Sequence, residues 1–354
     1  MNIISEIHLK KEHLIIPSTF TDAGYESFVI CGRSKIIYNG PVKFFETRNK
    51  KKNIFYVILE FLVVLKKFLK EEPDLVMFFQ NNAMIPLMVL LYSILRPFGR
   101  PIWIVFLDFD VDEKNGRRTI VRKLGWIVNS IFVDYLTYQT LCHKEVLSRY
   151  IKNSKMIPLQ PSYSSRHYIA RKYVDFNRKP KILCVCRVVR EKGLEILIRS
   201  FSLIKDKFPE WYIKFVGPTI DIKYYGELMD LVTETRLSSS IKFAGNLSDH
   251  QLSEEYNSAS LFCLPSFSES LGISRFEAAI NGIPVVTSDA GCAKDMMNFG
   301  MLVFKRGDIK ALSNILCDLM ENEELRVSIS NKQLKHVKSL EENVLELIRI
   351  MNSH

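Results

Sequence analysis

Apolar and polar positions follow two recurring rhythms along the chain. Short runs rich in Val, Ile and aromatic residues, bounded by Pro, Gly or Asp, read as strands: ESFVICG, DLVMFFQ and PIWIVFLDF in the first half. Helical periodicity separates them near 53–70, 83–95 and 118–134. After a Ser-rich, Pro-flanked stretch around Pro158–His167 the pattern restarts. KILCVCRV, WYIKFVGP, IKFAG, LFCLPS and PVVTSD read as strands, and Gly193–Phe208, Tyr224–Thr235, 250–258 and 273–281 as helices. Strands alternating with such helices imply βαβ units and parallel sheets. Two runs predict an α/β protein of two doubly wound, Rossmann-like domains facing a central cleft, over 1–165 and 166–338, with a C-terminal helix over 339–354. Ligands of such sheets sit beyond the carboxyl ends of the strands.

The helix at 53–70 has its own pattern. Lys52, Glu60, Lys66, Lys67 and Lys70 fall within about 120° on a helical wheel, leaving roughly 240° of apolar surface. Two readings fit: a helix squeezed between sheet and neighbour, or a lysine-rimmed face lying in a membrane interface.

Composition narrows the class. A chain of 354 residues, 47% hydrophobic and 25% charged, is folded and long enough for two domains. The net charge of +10 is unevenly spread: 24 basic against 15 acidic residues in 1–170, and 25 against 24 in the remainder. The first half therefore asks for an anionic partner. Seven scattered cysteines form no CxxC pair and no metal-ligand spacing, and read as reduced and cytosolic. Cys184 and Cys186 point to one face of a strand, which does not give disulfide geometry. The start lacks an apolar segment of signal-peptide length, and Met84–Phe106 is cut by Arg96-Pro97 and Gly99-Arg100-Pro101, so no transmembrane span is expected.

Candidate chemistry lies in the second half. In CVCRVVREKG, Arg187 and Lys192 flank a strand-to-helix turn and Gly193 allows a sharp approach. Two cations so placed suit a pyrophosphate: Arg forks onto two oxygens and Lys supplies a point charge. A solvated basic turn is the plainer explanation of this motif alone. PSFSESLGISRFEAAINGIPVVTSDAG adds to it. Ser270-Leu271-Gly272 opens a helix at Ile273 whose first amides form an anion site. Glu269 lies just outside that helix and Glu277 about two turns in, where carboxylates accept hydrogen bonds from sugar hydroxyls. Taken singly, Glu269 is a helix N-terminal charge and Glu277 a solvated surface residue; the set favours a site.

This set resembles the retaining, nucleotide-sugar-dependent glycosyltransferases of family 4, which have the GT-B fold. The matched features are R-x4-K-G at Arg187–Gly193, VGP at Val216–Pro218, FAGNLSD at Phe243–Asp249, E-x7-E from Glu269 to Glu277, GIPVV at Gly282–Val286 and the following SDAG. The resemblance covers about 175–305 and is weaker over 1–165. It implies that Arg187 and Lys192 bind the donor diphosphate, with Gly217 and the amides of Ser270, Leu271, Gly272 and Ile273 around the nucleotide. Glu277 would accept from the ribose hydroxyls and Glu269 from the transferred sugar. The backbone of Gly245, Asn246 and Leu247 would face the base. It also implies a C-terminal helix that crosses back to the first domain, no bound metal and no cofactor beyond the donor substrate. Asp108-Phe109-Asp110 has DxD form but follows a strand of the acceptor half, so it is not read as a metal site.

The first half departs from the family. There is no Gly-Gly loop after the first strand, and Leu107-Asp108 stands where a donor-facing histidine is common. Asp108 is the candidate polar group there, with a strand-end cap as its plainer role; His8 and Lys10 could take the loop's place. The expected reaction moves a hexose from a GDP-mannose or UDP-glucose type donor to an acceptor hydroxyl, on a glycan or a lipid-linked acceptor. A GT-B nucleotide-sugar hydrolase or epimerase, and a non-catalytic membrane-docked pseudo-glycosyltransferase, are the alternatives. Nucleic acid is not an expected partner, because no aromatic-interleaved basic stretch is present. The excess charge points to an anionic membrane surface as partner of the N-terminal half, and so to a cytoplasmic, peripheral location.

Overall fold

Thirteen strands in the described part of the chain form two all-parallel sheets. The computed structural model describes residues 2–4, 16, 19–31, 43–46, 54–78, 84–107, 117–159, 178–269, 271–338 and 340–352. The chain divides into two units: Met1–Phe109, Glu113–Gln160 and Leu340–His354 form the first, Asp110–Asp112 and Pro161–Ser339 the second.

In unit 1 the strands are β1 (Asn2–Ile4), β2 (Phe28–Cys31), β3 (Lys43–Glu46), β4 (Leu75–Phe78), β5 (Ile102–Val105), β6 (Tyr135–Tyr138) and β7 (Met156–Pro158). Their order is β3-β2-β1-β4-β5-β6-β7. The described helices between them are α1 (Ile54–Glu71), α2 (Met84–Leu95), α3 (Arg117–Phe132) and α4 (Leu141–Ser148). α1 and α2 reach the sheet through aromatic edges: Phe68 and Tyr92 both pack T-shaped on the fully buried Trp103 of β5. A further core joins Met77, Ile104 and Ile157 to Val344, Leu347 and Ile348. Those last three lie on α12 (Leu340–Asn352), so the last helix of the chain completes the first unit, the return crossing expected of the fold.

Unit 2 holds β8 (Lys179–Val185), β9 (Tyr212–Val216), β10 (Ile241–Phe243), β11 (Ala259–Leu264), β12 (Val285–Ser288) and β13 (Leu302–Phe304) in the order β10-β9-β8-β11-β12-β13. The described helices are α5 (Leu194–Ser202), α6 (Ile222–Glu234), α7 (Asp249–Ser258), α8 (Ile273–Ile280), α9 (Ala293–Asn298), α10 (Ile309–Glu321) and α11 (Glu323–His336). Every residue of β11 and β12 is buried, as continuous apolar runs in a parallel sheet covered on both faces should be. Polar side chains start the helices: Asp221 accepts from the Tyr224 amide at 2.9 Å, and Ser248 with Gln251 forms a capping box on α7.

Strand order reverses between β8 and β11: sequence runs outward to β9 and β10 on one side, and to β12 and β13 on the other. One expected element is shorter than its pattern. The helix read over Gly193–Phe208 ends at Ser202, followed by a 3-10 turn at Lys205–Lys207. Phe208 precedes Pro209, and a residue before proline is pushed out of the α region; its φ of −129° and ψ of 63° show this.

Candidate functional site

In a doubly wound sheet the loops leaving the two strands at the reversal point part in opposite directions and open a crevice. In unit 2 these are the loops after β8, Cys186–Gly193, and after β11, Pro265–Gly272. Backbone hydrogen bonds knit them together: the amides of Phe267 and Ser268 donate to the Glu191 carbonyl at 2.8 and 3.3 Å. Gly193 makes this possible. Its φ is +59°, and a Cβ there would lie 2.5 Å from the Pro265 carbonyl oxygen. The β9 loop closes in through Gly217, where a Cβ would lie 2.1 Å from the Cys186 carbonyl oxygen. The Gly217 amide in turn donates to the Gly245 carbonyl at 2.9 Å, so the loops after β8, β9 and β10 form one continuous backbone surface.

Onto this frame the predicted polar residues are placed. Lys192 Nζ meets Glu269 Oε2 at 2.6 Å, and the Ser266 hydroxyl donates to the same carboxylate oxygen at 3.2 Å. Both members of the ion pair are largely buried, with side chains 14% and 9% exposed. Arg187 is exposed, and its guanidinium has no hydrogen bond or ion pair among the described residues. The two cations therefore differ: Lys192 is engaged inside the site, while Arg187 is free to fold onto an anion. Behind Lys192 lie Cys184 and Cys186, with sulfurs 3.8 Å apart and no disulfide. Burial pushes the Cys184 and Cys263 thiols up, so both are neutral near pH 7.

α8 begins at Ile273 with Gly272 in the left-handed region and no side-chain cap among the described residues; the Arg275 amide donates to the Gly272 carbonyl at 2.8 Å, which leaves the Ile273 and Ser274 amides ahead of the first helical bond. The helix is buried almost throughout, from Arg275 to Ile280. Glu277 is accordingly buried rather than a solvated surface residue, and Tyr256 donates its hydroxyl proton to Glu277 Oε2 at 2.5 Å. Leu271 is buried, Gly245 and Leu247 are half-buried, and Asn246 is exposed. Asp108, Ser270, His8 and Lys10 lie outside the described residues.

The sequence reading missed one residue that organises this corner. Arg275 is fully buried. Its Nε and Nη2 donate to the Leu271 carbonyl at 3.2 and 2.6 Å, and Nη1 donates to Thr287 Oγ1 at 3.1 Å. Burial lowers its pKa, while the nearby Glu269 carboxylate favours the charged form. In a trans peptide the C=O and N–H point oppositely. Holding the Leu271 carbonyl toward Arg275 therefore turns the Gly272 amide away from Arg275. Arg306 braces the loop from its far side, donating from Nη1 to the Phe267 carbonyl and from Nε to Asp289 Oδ1, both at 2.9 Å. No motif marks Arg275, since a lone arginine on a short helix ordinarily points to water; the one sequence cue is its place among apolar and small residues.

The arrangement offers one free cation, one cation already paired with a carboxylate, an uncapped helix start and a second buried carboxylate. That combination has the chemistry to suit a phosphorylated, hydroxyl-rich ligand. The family model for glycosyl transferases group 1 matches residues 166–336, almost all of unit 2. Sulfoquinovosyl transferase SQD2 of Arabidopsis thaliana is 34% identical over 154 residues, 42% of this chain and 28% of that protein. The GDP-mannose-dependent monoacylated alpha-(1-6)-phosphatidylinositol monomannoside mannosyltransferase of Corynebacterium glutamicum is 26% identical over 243 residues, 63% of this chain and 61% of that one. The chain thus spans less than two thirds of the length of either relative. Among solved structures, sucrose-phosphate synthase from Thermosynechococcus elongatus matches with a TM-score of 0.74 at 15% identity, covering 99% of this chain and 98% of that one. This last likeness is one of fold: two Rossmann-like domains of the GT-B type.

Proposed function

We propose, on the premise that residues 166–336 belong to the glycosyl transferases group 1 family, that the chain transfers a hexose with retention of anomeric configuration. The donor is a nucleoside diphosphate sugar of the GDP-mannose or UDP-glucose type. The acceptor is a hydroxyl of a lipid-linked or polysaccharide glycan. The observation that carries the reading is the meeting of Lys192, Glu269 and the uncapped α8 N-terminus at the strand-order reversal of unit 2.

In this reading Lys192, Arg187 and the first amides of α8 hold the diphosphate and supply the positive charge a metal would otherwise bring. Glu277 receives the ribose hydroxyls, and the Gly245–Leu247 backbone borders the base. Glu269 receives hydroxyls of the sugar. The acceptor oxygen bonds to the anomeric carbon as the bond from that carbon to the phosphate oxygen breaks. The acceptor proton passes to the departing phosphate on the same face, and the cations neutralise the charge that builds there. The similarity to the Corynebacterium mannosyltransferase, whose name gives GDP-mannose as donor and a phosphatidylinositol mannoside as acceptor, supports a lipid-bearing acceptor here.

Calorimetry with GDP and UDP tests the site, and a nucleotide-sugar panel with extracted lipids, read by mass spectrometry, tests the reaction. Arg187→Ala and Lys192→Ala should each abolish transfer in a folded protein. Binding of neither nucleotide, or full activity in both variants, would refute the reading.

A further inference from the structure

Three helices of unit 1 form a surface whose composition does not suit water. α1 packs beside α2, and α2 beside α3. The crossovers β3-α1-β4, β4-α2-β5 and β5-α3-β6 join parallel strands, and their common right-handedness sets all three helices on one face of the sheet. Each buries one side, through Phe68, Tyr92 and Trp126 respectively. The other side is apolar as well. Leu62 is 52% exposed, Ile94 64%, Leu124 55% and Ile131 68%, and Phe98, in the turn after α2, is 88% exposed. A single exposed leucine is ordinary, but an apolar face continuous over three adjacent helices marks an interaction surface. α2 has no charged residue at all, so nothing on its outer side solvates it.

Charge selects the partner. The three helices carry seven basic residues, Lys66, Lys67, Lys70, Arg117, Arg118, Arg122 and Lys123, against Glu60 and Glu71. Lys66 and Lys70 are exposed and follow Leu62 at successive intervals of four, which continues the outward side of α1. Because the strands are parallel, the helices run in the same direction. The lysines ending α1 therefore lie along one border, together with Arg96 and Arg100 after α2, which are paired with Glu72 and Asp134, and α3 starts toward the opposite one. A second copy of the chain placed on this face would bring like charges together. An anionic lipid surface accepts both the apolar centre and the cationic borders. No described helix is long and apolar enough to cross a membrane, so contact of this kind lies in the interface.

We propose that the outward face of α1, α2 and α3 docks on an anionic lipid bilayer, with its apolar side chains at the headgroup–acyl boundary and the exposed Lys66 and Lys70 on lipid phosphates. The proposal goes beyond the transfer reaction: it rests on unit 1 and is independent of the nucleotide site. The test is flotation of the full chain with phosphatidylcholine vesicles, with and without about one third phosphatidylglycerol. Binding is expected to the anionic vesicles at about 0.1 M salt, to weaken several-fold near 1 M, and to be absent with the neutral ones. The variant Leu62→Glu/Ile94→Glu/Leu124→Glu changes exposed positions only, so its fold and nucleotide binding should persist while the vesicle-bound fraction falls at least about tenfold. No flotation on anionic vesicles at low salt, or undiminished flotation of the folded variant, overturns the proposal. So does a stable dimer by light scattering that the variant abolishes, since that assigns the face to a second copy. Flotation of a chain that binds neither GDP nor UDP supports the docking surface and refutes only the transferase reading.

Discussion

The Lys192–Glu269 pair is an obstacle that a diphosphate must overcome, and Glu269→Gln measures it. The substitution preserves shape and removes the charge. Unit charges 2.6 Å apart attract by roughly 6 kcal/mol at an effective dielectric of about 20. Burial of both groups offsets most of that. What remains is the net worth of a charged hydrogen bond, about 1.5–3 kcal/mol. A diphosphate sharing Lys192 recovers part of it, so relief of the pair should tighten GDP or UDP by about 1–2 kcal/mol, roughly fivefold to thirtyfold. Transfer should fall at the same time, by at least about tenfold, because the sugar loses its carboxylate acceptor. Isothermal titration calorimetry reads the affinity, and Lys192→Ala in the Glu269→Gln background should return it to the wild-type level or below. Arg275 loses its nearby countercharge in this variant, so a lowered Tm is also expected, and titration belongs well below it. Unchanged or weaker nucleotide affinity in a folded Glu269→Gln variant would show that Lys192 does not reach the diphosphate.

Three further outcomes follow from the same geometry. Arg275→Met removes the donor to the Leu271 carbonyl and to Thr287 Oγ1 and should cost about 1–3 kcal/mol in urea unfolding; a loss under about 0.5 kcal/mol would mean the guanidinium is not the brace described. Gly193→Ala forces an alanine into the left-handed region and a methyl group against the Pro265 carbonyl, and should cost about 2–4 kcal/mol by thermal melting. Glu255, bonded by Lys181 at 2.7 Å and by Lys214 at 2.5 Å, titrates in a definite direction. Burial alone would raise its pKa, but the two lysines outweigh burial and hold it below the ordinary value of 4.5. Its stabilisation is therefore present above about pH 4.5 and lost as pH falls through the lowered value, and Glu255→Gln should remove that part of the acid-side decline in stability.

The strand-loop-helix pattern was enough to locate the crevice, because it depends on local signals: apolar runs ending at Arg187 and Pro265, and glycines at the turns. It also singled out Glu277 as a candidate, although as a solvated residue when taken alone and not in its buried setting. The hydroxyl that Glu277 holds belongs to Tyr256 on another helix, and contacts between elements leave no local trace. Arg275 was illegible for the same reason, since nothing beside it in sequence tells a buried guanidinium from a solvated one. α1 was read as either squeezed or interfacial, and its residues divide between the two: Phe61, Val64, Leu65 and Phe68 are buried while Leu59, Leu62 and Val63 are exposed. The outward faces of α2 and α3 were missed because an apolar helix in sequence reads as core. Only the neighbouring helices establish that its second side is left uncovered.

The passage of the last helix into the first unit has a consequence for synthesis. α12 supplies Val344 and Leu347, both fully buried, to the core around Met77, Ile104 and Ile157. On a ribosome those residues emerge only after Pro161–Ser339, the whole main segment of unit 2, has been made. At 5–20 residues per second that is a delay of roughly 10–40 s. The unit that begins first is therefore completed last, and it spends the interval with an open apolar seam. A ribosome-stalled chain ending before Leu340 should carry a finished second unit beside a first unit that still binds chaperones.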